Sequence, residues 1–262
     1  MTRKAMLIDL KRCAGCGSCV VACQMQNNTR PGISWNTLSR CEWGEYPNAG
    51  VCYLPHSCMH CDEPDCVAVC TTGASYQTSD GVVLTDYNIC IGCKECVKAC
   101  PYGARHLSTN NTYFFDANDP APYEAHGVQR MNVTEKCIFC YEMVEQGLQP
   151  ACVTNCPTRA RIFGDIDDPT SEIAKKAQGA IRIGQSGFYY IKPANMPGEL
   201  ISSTVIAPPY EDDDDDITKS SDPTVPILIG VGAAAVIAAG IGAGVGVSKS
   251  KKKKASANEE GE

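Results

Sequence analysis

Sixteen of the chain's eighteen cysteines fall into four quartets, and every quartet ends in the same C-x3-C step. Cys13, Cys16, Cys19 and Cys23 are spaced x2, x2, x3. Cys90, Cys93, Cys96 and Cys100 repeat that spacing and run into Pro101. Cys58, Cys61, Cys66 and Cys70 are spaced x2, x4, x3, and Cys137, Cys140, Cys152 and Cys156 are spaced x2, x11, x3 before Pro157. A fourfold internal repeat of this kind constrains the fold more than any hydrophobic pattern in the chain. Four short loops, each carrying three thiols and followed by a fourth, have to be folded into compact sites.

The C-x2-C-x2-C-x3-C-P run is a ligand set for [4Fe–4S] clusters: three thiolates on one tight loop hold one cluster and the fourth ligates another. We expect that fourth thiolate at the start of the following helix. Two other uses of cysteine compete. A disulfide scaffold is usually short, secreted and signal-bearing, whereas here Met1-Thr2-Arg3-Lys4 precedes only a brief apolar run, Ala5 to Ile8, too short for a signal peptide. Zinc sites usually pair two C-x2-C knuckles, and three-thiol loops with a trailing cysteine favour iron–sulfur instead. Cys41 and Cys52 stand outside every quartet and are expected as small buried hydrophobes.

The formal charge of −7 argues against a nucleic-acid partner. The chain has no G-x-G-x-x-G after a strand, no phosphate loop and no nucleophile–base pair. The expectation is a chain that carries electrons and performs no catalysis. Lys11, Arg12, Lys94, Lys98 and Lys136 lie beside ligands; each is read either as favouring the reduced cluster by Coulomb attraction or as a solvated surface charge. His56 and His60 flank Cys58, and His60 is expected to hydrogen-bond a cluster sulfur or a nearby carbonyl.

Along the chain, Lys4 to Leu10 reads as a strand and Val20 to Asn27 as a helix. Thr29 to Cys52 reads as a turn-rich insertion holding Trp35 and Trp43. Gly81 to Thr85, Val133 onward and Ala160 to Gly164 read as strands, and Ser171 to Gln178 as a helix. The expected organisation is a cluster domain over 1–197, an acidic Pro/Ser linker over 198–224 with the run Glu211 to Asp216, a transmembrane helix over 225–247, and a Lys-rich tail over 248–262. Val225 to Val247 holds no charge over 23 residues, long enough to span a bilayer. Gly240-x3-Gly244 and Gly242-x3-Gly246 would give it a narrow face for packing on another helix.

Asp9-Leu10-Lys11-Arg12-Cys13-x2-Cys16, Cys58-Met59-His60-Cys61-Asp62-Glu63-Pro64-Asp65-Cys66, Gly92-Cys93, Lys136-Cys137-x2-Cys140, Pro150-Ala151-Cys152 to Cys156-Pro157-Thr158 and Phe163 to Pro169 carry a family likeness. Over residues 4 to 170 the chain resembles the four-cluster iron–sulfur subunit of the dimethyl sulfoxide reductase (molybdopterin oxidoreductase) family. The resemblance implies an α+β fold of two pseudo-symmetric bacterial ferredoxin-like 2[4Fe–4S] modules, here followed by a single C-terminal transmembrane helix. It implies four [4Fe–4S] clusters with crossed ligands. Cys13, Cys16 and Cys19 would share a cluster with Cys156, and Cys137, Cys140 and Cys152 one with Cys23. Cys58, Cys61 and Cys66 would take Cys100, and Cys90, Cys93 and Cys96 would take Cys70. Thr71 and Arg159 stand where relatives often have Pro and Gly.

The implied partner is a molybdopterin-containing catalytic subunit that crosses the membrane folded, by the twin-arginine route. The helix would give attachment to the cell membrane. A quinol- or cytochrome-linked electron partner is a further candidate. The positive-inside bias would keep the lysine tail cytoplasmic and the cluster domain on the extracytoplasmic face. A membrane-tethered stand-alone polyferredoxin is the alternative.

Overall fold

The structure is a computed structural model and describes residues 2–109 and 130–207. Its framework is strand β1 (Lys4–Asp9), the second of four in the order β8-β1-β10-β9. Strand β8 (Arg161–Asp165) runs antiparallel to β1, β10 (Phe188–Ile191) runs parallel to it, and β9 (Ile181–Arg182) closes the edge antiparallel to β10. Ala5, Met6, Leu7 and Ile8 are all buried because β1 is paired on both sides and covered on both faces. Their alternation sorts them into two cores. Ala5 and Leu7 pack with Ile162 and Ile173, under helix α6 (Glu172–Lys176). Met6 and Ile8 face the larger core, with Phe139, Phe163, Phe188 and Tyr190. Burying each such side chain contributes about 1.5–3 kcal/mol. Helix α6 starts where expected: Ser171 Oγ accepts from the Ala174 amide at 3.1 Å.

Between β1 and the sheet's return at β8 lie the cysteine loops. Helix α1 (Ser18–Asn27) follows the first quartet's loop, α2 (Asp65–Ala68) lies in the second, α3 (Glu95–Lys98) in the third, and α4 (Tyr141–Glu145) and α5 (Ala151–Thr154) in the fourth. Three small ribbons accompany them: β2 (Asn36–Trp43) with β3 (Gly50–Ser57), β4 (Ser75–Gln77) with β5 (Val83–Thr85), and β6 (His106–Ser108) with β7 (Val133–Glu135). The mixed helix and strand content agrees with the α+β expectation.

Two expectations are corrected. The turn-rich insertion is a regular antiparallel hairpin, β2–β3, in register from Asn36↔Ser57 to Trp43↔Gly50. Its strand pattern is blurred by Pro55, which a two-stranded ribbon tolerates because neither strand is paired on both sides. The linker does not begin at 198: helix α7 (Glu199–Val205) packs on the hairpin and buries Ile201 and Val205. Its Ser-rich sequence is a weak helix former, so packing rather than propensity holds it. Cys41 and Cys52 face each other across this hairpin, buried as expected, with Cys41 Sγ 3.4 Å from Thr204 Oγ1 of α7. Among the described residues no helix is long and apolar enough to cross a membrane. The segment 225–247 and the acidic run lie outside the described residues.

Candidate metal centres

Each quartet loop is turned by a left-handed residue just before its second cysteine. These are Gly15, His60, Gly92 and Phe139, with φ of 68°, 47°, 66° and 54°. The third cysteine is the second residue of a helix: Cys19 of α1, Cys66 of α2, Cys96 of α3 and Cys152 of α5. The fourth comes one turn later, inside α1 for Cys23 and just beyond the helix for Cys70, Cys100 and Cys156. This corrects the expectation that the fourth thiol opens a helix. The helix instead spans the x3 step, and four residues of helix advance about 6 Å along the axis. One turn therefore aims its two thiols into two neighbouring sites.

Three of the sets that result are crossed. One cavity is lined by Cys13, Cys16, Cys19 and Cys156. A second is lined by Cys23, Cys137, Cys140 and Cys152. Cys61 is surrounded by Cys58, Cys66 and Cys100; burial, and then these neighbours, push its thiol up to about 12. In the last set, Cys90 and Cys96 lie 3.8 and 3.3 Å from the Thr134 hydroxyl, and α2, which leads to Cys70, packs against α3, which carries Cys96. Burial also drives Cys137 up to about 12. Soft thiolates in fours suit iron–sulfur clusters, and binding would strip these thiols of their protons.

The surrounding donors fit a sulfur-rich guest. Arg105 Nη2 donates to Cys66 Sγ at 3.2 Å and Arg161 Nη1 to Cys152 Sγ at 3.6 Å. Arg105 Nε, Arg161 Nε and His60 Nε2 are buried and meet no acceptor of the chain. A single zinc ion needs thiolates at about 2.3 Å from one point. Among the described residues no three His, Cys, Asp or Glu side chains close on one ion in that way.

The Nε2 of His60, with no acceptor in the chain, is the nitrogen left for the expected bond to a cluster sulfur. The His60 Nδ1 accepts from the Val83 amide at 3.0 Å, and its ring stacks on Phe139. Burial, then Lys136, Arg105 and Arg3, hold its pKa well down, so the ring is neutral. His56 approaches the hydroxyls of Thr37 and Ser39. Of the five cations beside ligands, Lys11, Arg12 and Lys98 are exposed and Lys94 is half-buried, while Lys136 is 1% exposed. Lys136 Nζ donates to the carbonyls of Val83 and Cys137.

Arg105 and Arg161, both buried, escape a reading by ligand adjacency. A signal is present all the same: each ends a C-P-x2-A-R run, Cys100 to Arg105 and Cys156 to Arg161.

A 4Fe-4S dicluster domain family matches residues 49–117 and 107–166, and a 4Fe-4S binding domain family matches residues 10–26. The chain is similar to a Halobacterium salinarum protein named as a candidate dimethyl sulfoxide reductase iron–sulfur subunit, 40% identical over 191 residues, 67% of this chain and 71% of that one. It is similar to the arsenate respiratory reductase iron–sulfur subunit of a Shewanella species, 36% identical over 66% of this chain and 86% of that one. It is also similar to a sulfite dehydrogenase subunit of Allochromatium vinosum, 37% identical over 74% of this chain and 79% of that one.

Proposed function

The chain belongs to the iron–sulfur subunits of the dimethyl sulfoxide reductase-type molybdopterin oxidoreductases, and on that premise we propose that it is the non-catalytic electron-transfer subunit of a membrane-attached complex, with four [4Fe–4S] clusters on its sixteen quartet cysteines. The observation that carries this reading is the crossing of thiols between quartets, seen where Cys23 lines one cavity with Cys137, Cys140 and Cys152, and Cys156 another with Cys13, Cys16 and Cys19.

Clusters of this type, when bound, supply one-electron chemistry without requiring a proton or substrate. The chain's own contribution is to hold the ligand sets in a row. Helix α1 places Cys19 in the first set and Cys23 in the second. Cys137 of the second set feels Cys58 of the third. Cys66 and Cys70, one helical turn apart, link the third set to the fourth. Cys16 in the first set and Cys93 in the fourth are exposed. An open groove beside Cys16 is lined by Val21 and Met25, and Ile91 is exposed beside Cys93. Each end of the row is thus an access point for a redox partner, one of them a molybdopterin-containing catalytic subunit.

The membrane attachment rests on sequence. The uncharged segment 225–247 would be a single transmembrane helix after a linker that starts beyond α7, with Lys249 and Lys251 to Lys254 retained in the cytoplasm. Carrying a lysine through the bilayer centre costs roughly 2.5–3.5 kcal/mol on insertion scales. The cluster domain then lies on the extracytoplasmic face. Protease added to intact spheroplasts should release the domain by cutting near Glu211 to Ile217; a protected domain would reverse this orientation.

Anaerobic purification from the native host tests the central reading. About sixteen irons and sixteen sulfides per chain, with a molybdopterin subunit co-purifying, are expected. Folded protein with half that iron, or a chain that always purifies alone, would overturn it.

A further inference from the structure

Three buried cations occupy equivalent places along the row of cysteine sets. Arg161 lines both cavities of the first two sets, Cys13, Cys16, Cys19 and Cys156 on one side and Cys23, Cys137, Cys140 and Cys152 on the other. Its Nη1 reaches Cys152 Sγ at 3.6 Å and its Nη2 the side-chain oxygen of Asn36 at 2.6 Å. Arg105 donates to Cys66 Sγ at 3.2 Å in the third set and lies within electrostatic reach of Cys96 in the fourth. Lys136 adjoins Cys137 of the second set, and Cys58 and Cys66 of the third act on it. There is one cation for each of the three junctions.

A buried cation is costly unless a negative charge faces it. Arg30 shows the usual solution: it is buried and pairs with Glu135 at 3.1 Å. Among the described residues neither Arg105, Arg161 nor Lys136 has a carboxylate in ion-pair range. Arg105 and Arg161 instead donate to the sulfurs of Cys66 and Cys152, while Lys136 donates to the carbonyls of Val83 and Cys137 with the sulfurs of Cys58, Cys137 and Cys66 in electrostatic reach. The anions available to all three are those sulfurs once they are thiolates. A guanidinium stays protonated throughout, and at these depths salt screens it little.

We propose that Arg161, Lys136 and Arg105 are positioning charges, one per junction, each raising the reduction potential of the two clusters it separates. This rests on the four-cluster reading above. Coulomb attraction favours the more negative, reduced form on both sides of the cation. The same charge offsets repulsion between two neighbours reduced together, so adjacent sites can both hold an electron. The pseudo-symmetry of the two C-P-x2-A-R runs gives each module its own arginine, and the lysine serves the join between modules.

The test is an anaerobic redox titration of the purified complex, followed cluster by cluster by electron paramagnetic resonance, in Arg161→Gln, Lys136→Met and Arg105→Gln. Iron and sulfide are assayed first, so a failure of the four-cluster reading shows as missing iron in the unsubstituted protein. Arg161→Gln should lower the potentials of the first two clusters, Lys136→Met the middle two and Arg105→Gln the last two, the others staying unmoved. Arg161→Lys, Arg105→Lys and Lys136→Arg, which keep the charge on a different stem, should restore most of the shift. If a neutral variant loses its clusters, the charge-keeping variant at that position decides alone: a smaller shift confined to the same two clusters supports the proposal, and no shift or a uniform one overturns it. Full clusters with unshifted potentials, or a uniform shift of all four, would overturn it.

Discussion

The imidazole of His60 stacks on the ring of Phe139 with centroids 3.8 Å apart and 27° between planes. Each ring sits just before the second cysteine of its quartet, at the left-handed position that glycine fills in the other two quartets. A non-glycine residue there costs roughly 1–2 kcal/mol. Both costs arise at one place, where the second and third ligand sets meet, and the stack offsets them by filling that join. Phe139 also packs edge-on to Phe163 and against Phe188. The contact ties a cluster loop to the central sheet.

Phe139→Ala should therefore destabilise the domain by about 3–5 kcal/mol, the usual cost of truncating a buried Phe. Phe139→Leu, which keeps most of the volume, should cost much less. Urea unfolding of the anaerobically purified protein measures both. Equal losses would mean that ring packing is not what holds this loop.

Two glycines separate backbone strain from lack of space. Gly92 has φ of 66°, and a Cβ there would collide with the Asn132 carbonyl oxygen, a backbone atom that cannot swing away. Gly17 has φ of 73° with nothing within 4 Å of a Cβ. Gly17→Ala should cost only the conformational term, about 1–2 kcal/mol. Gly92→Ala should cost clearly more and lower the occupancy of the cluster on Cys90, Cys93 and Cys96. Thermal unfolding and visible absorbance of the two variants, measured together, check the order.

Much of this is legible from residues alone, for stated reasons. Ala5 to Ile8 reads as a strand because a doubly paired, doubly covered strand is apolar throughout. The Ser171 cap announces α6. The cysteine spacing marks the sites because one helical turn has to separate the third thiol from the fourth. The hairpin is hidden because Thr37, Ser39 and Arg40 alternate with few large apolar residues, and Pro55 interrupts the partner strand. Helix α7 is hidden because its stability comes from Ile201 and Val205 meeting the hairpin, a contact between segments far apart in sequence. Arg105 and Arg161 are hidden because adjacency to a ligand is read along the chain, whereas each lies five residues past its cysteine and reaches sulfur only after the strand or ribbon has turned back.

The crossing of ligands makes a specific spectroscopic prediction. Cys100 follows the third quartet's loop, yet its thiol faces Cys58 and Cys61. Cys100→Ser should alter the signal of the cluster on Cys58, Cys61 and Cys66. Cys93→Ser should alter a different signal, that of the cluster on Cys90 and Cys96. Electron paramagnetic resonance of the two reduced variants distinguishes them, and one common altered signal would contradict the crossing.

The last prediction concerns acid. His106, in β6, is held below its ordinary pKa of 6.5, chiefly by burial, with the Ser34 backbone partly opposing. Its ladder partner Glu135 directs its carboxylate at Arg30 and Trp35, so no free anion is turned toward the imidazole from that side. In the unfolded chain the imidazole takes up a proton near pH 6.5; in the folded chain it does so only at lower pH. Between those two values the unfolded state binds more protons, so stability falls as the pH falls. Above about pH 7 both states are neutral and the effect vanishes. The slope from one such group is at most about 1.4 kcal/mol per pH unit. His106→Gln removes the titration, so its stability should decline less steeply than that of the parent as the pH falls below about 6.5, and the two curves should run parallel above about pH 7. Curves parallel throughout would show that His106 protonates equally in both states. A steeper decline in the variant would reverse the sign of the shift.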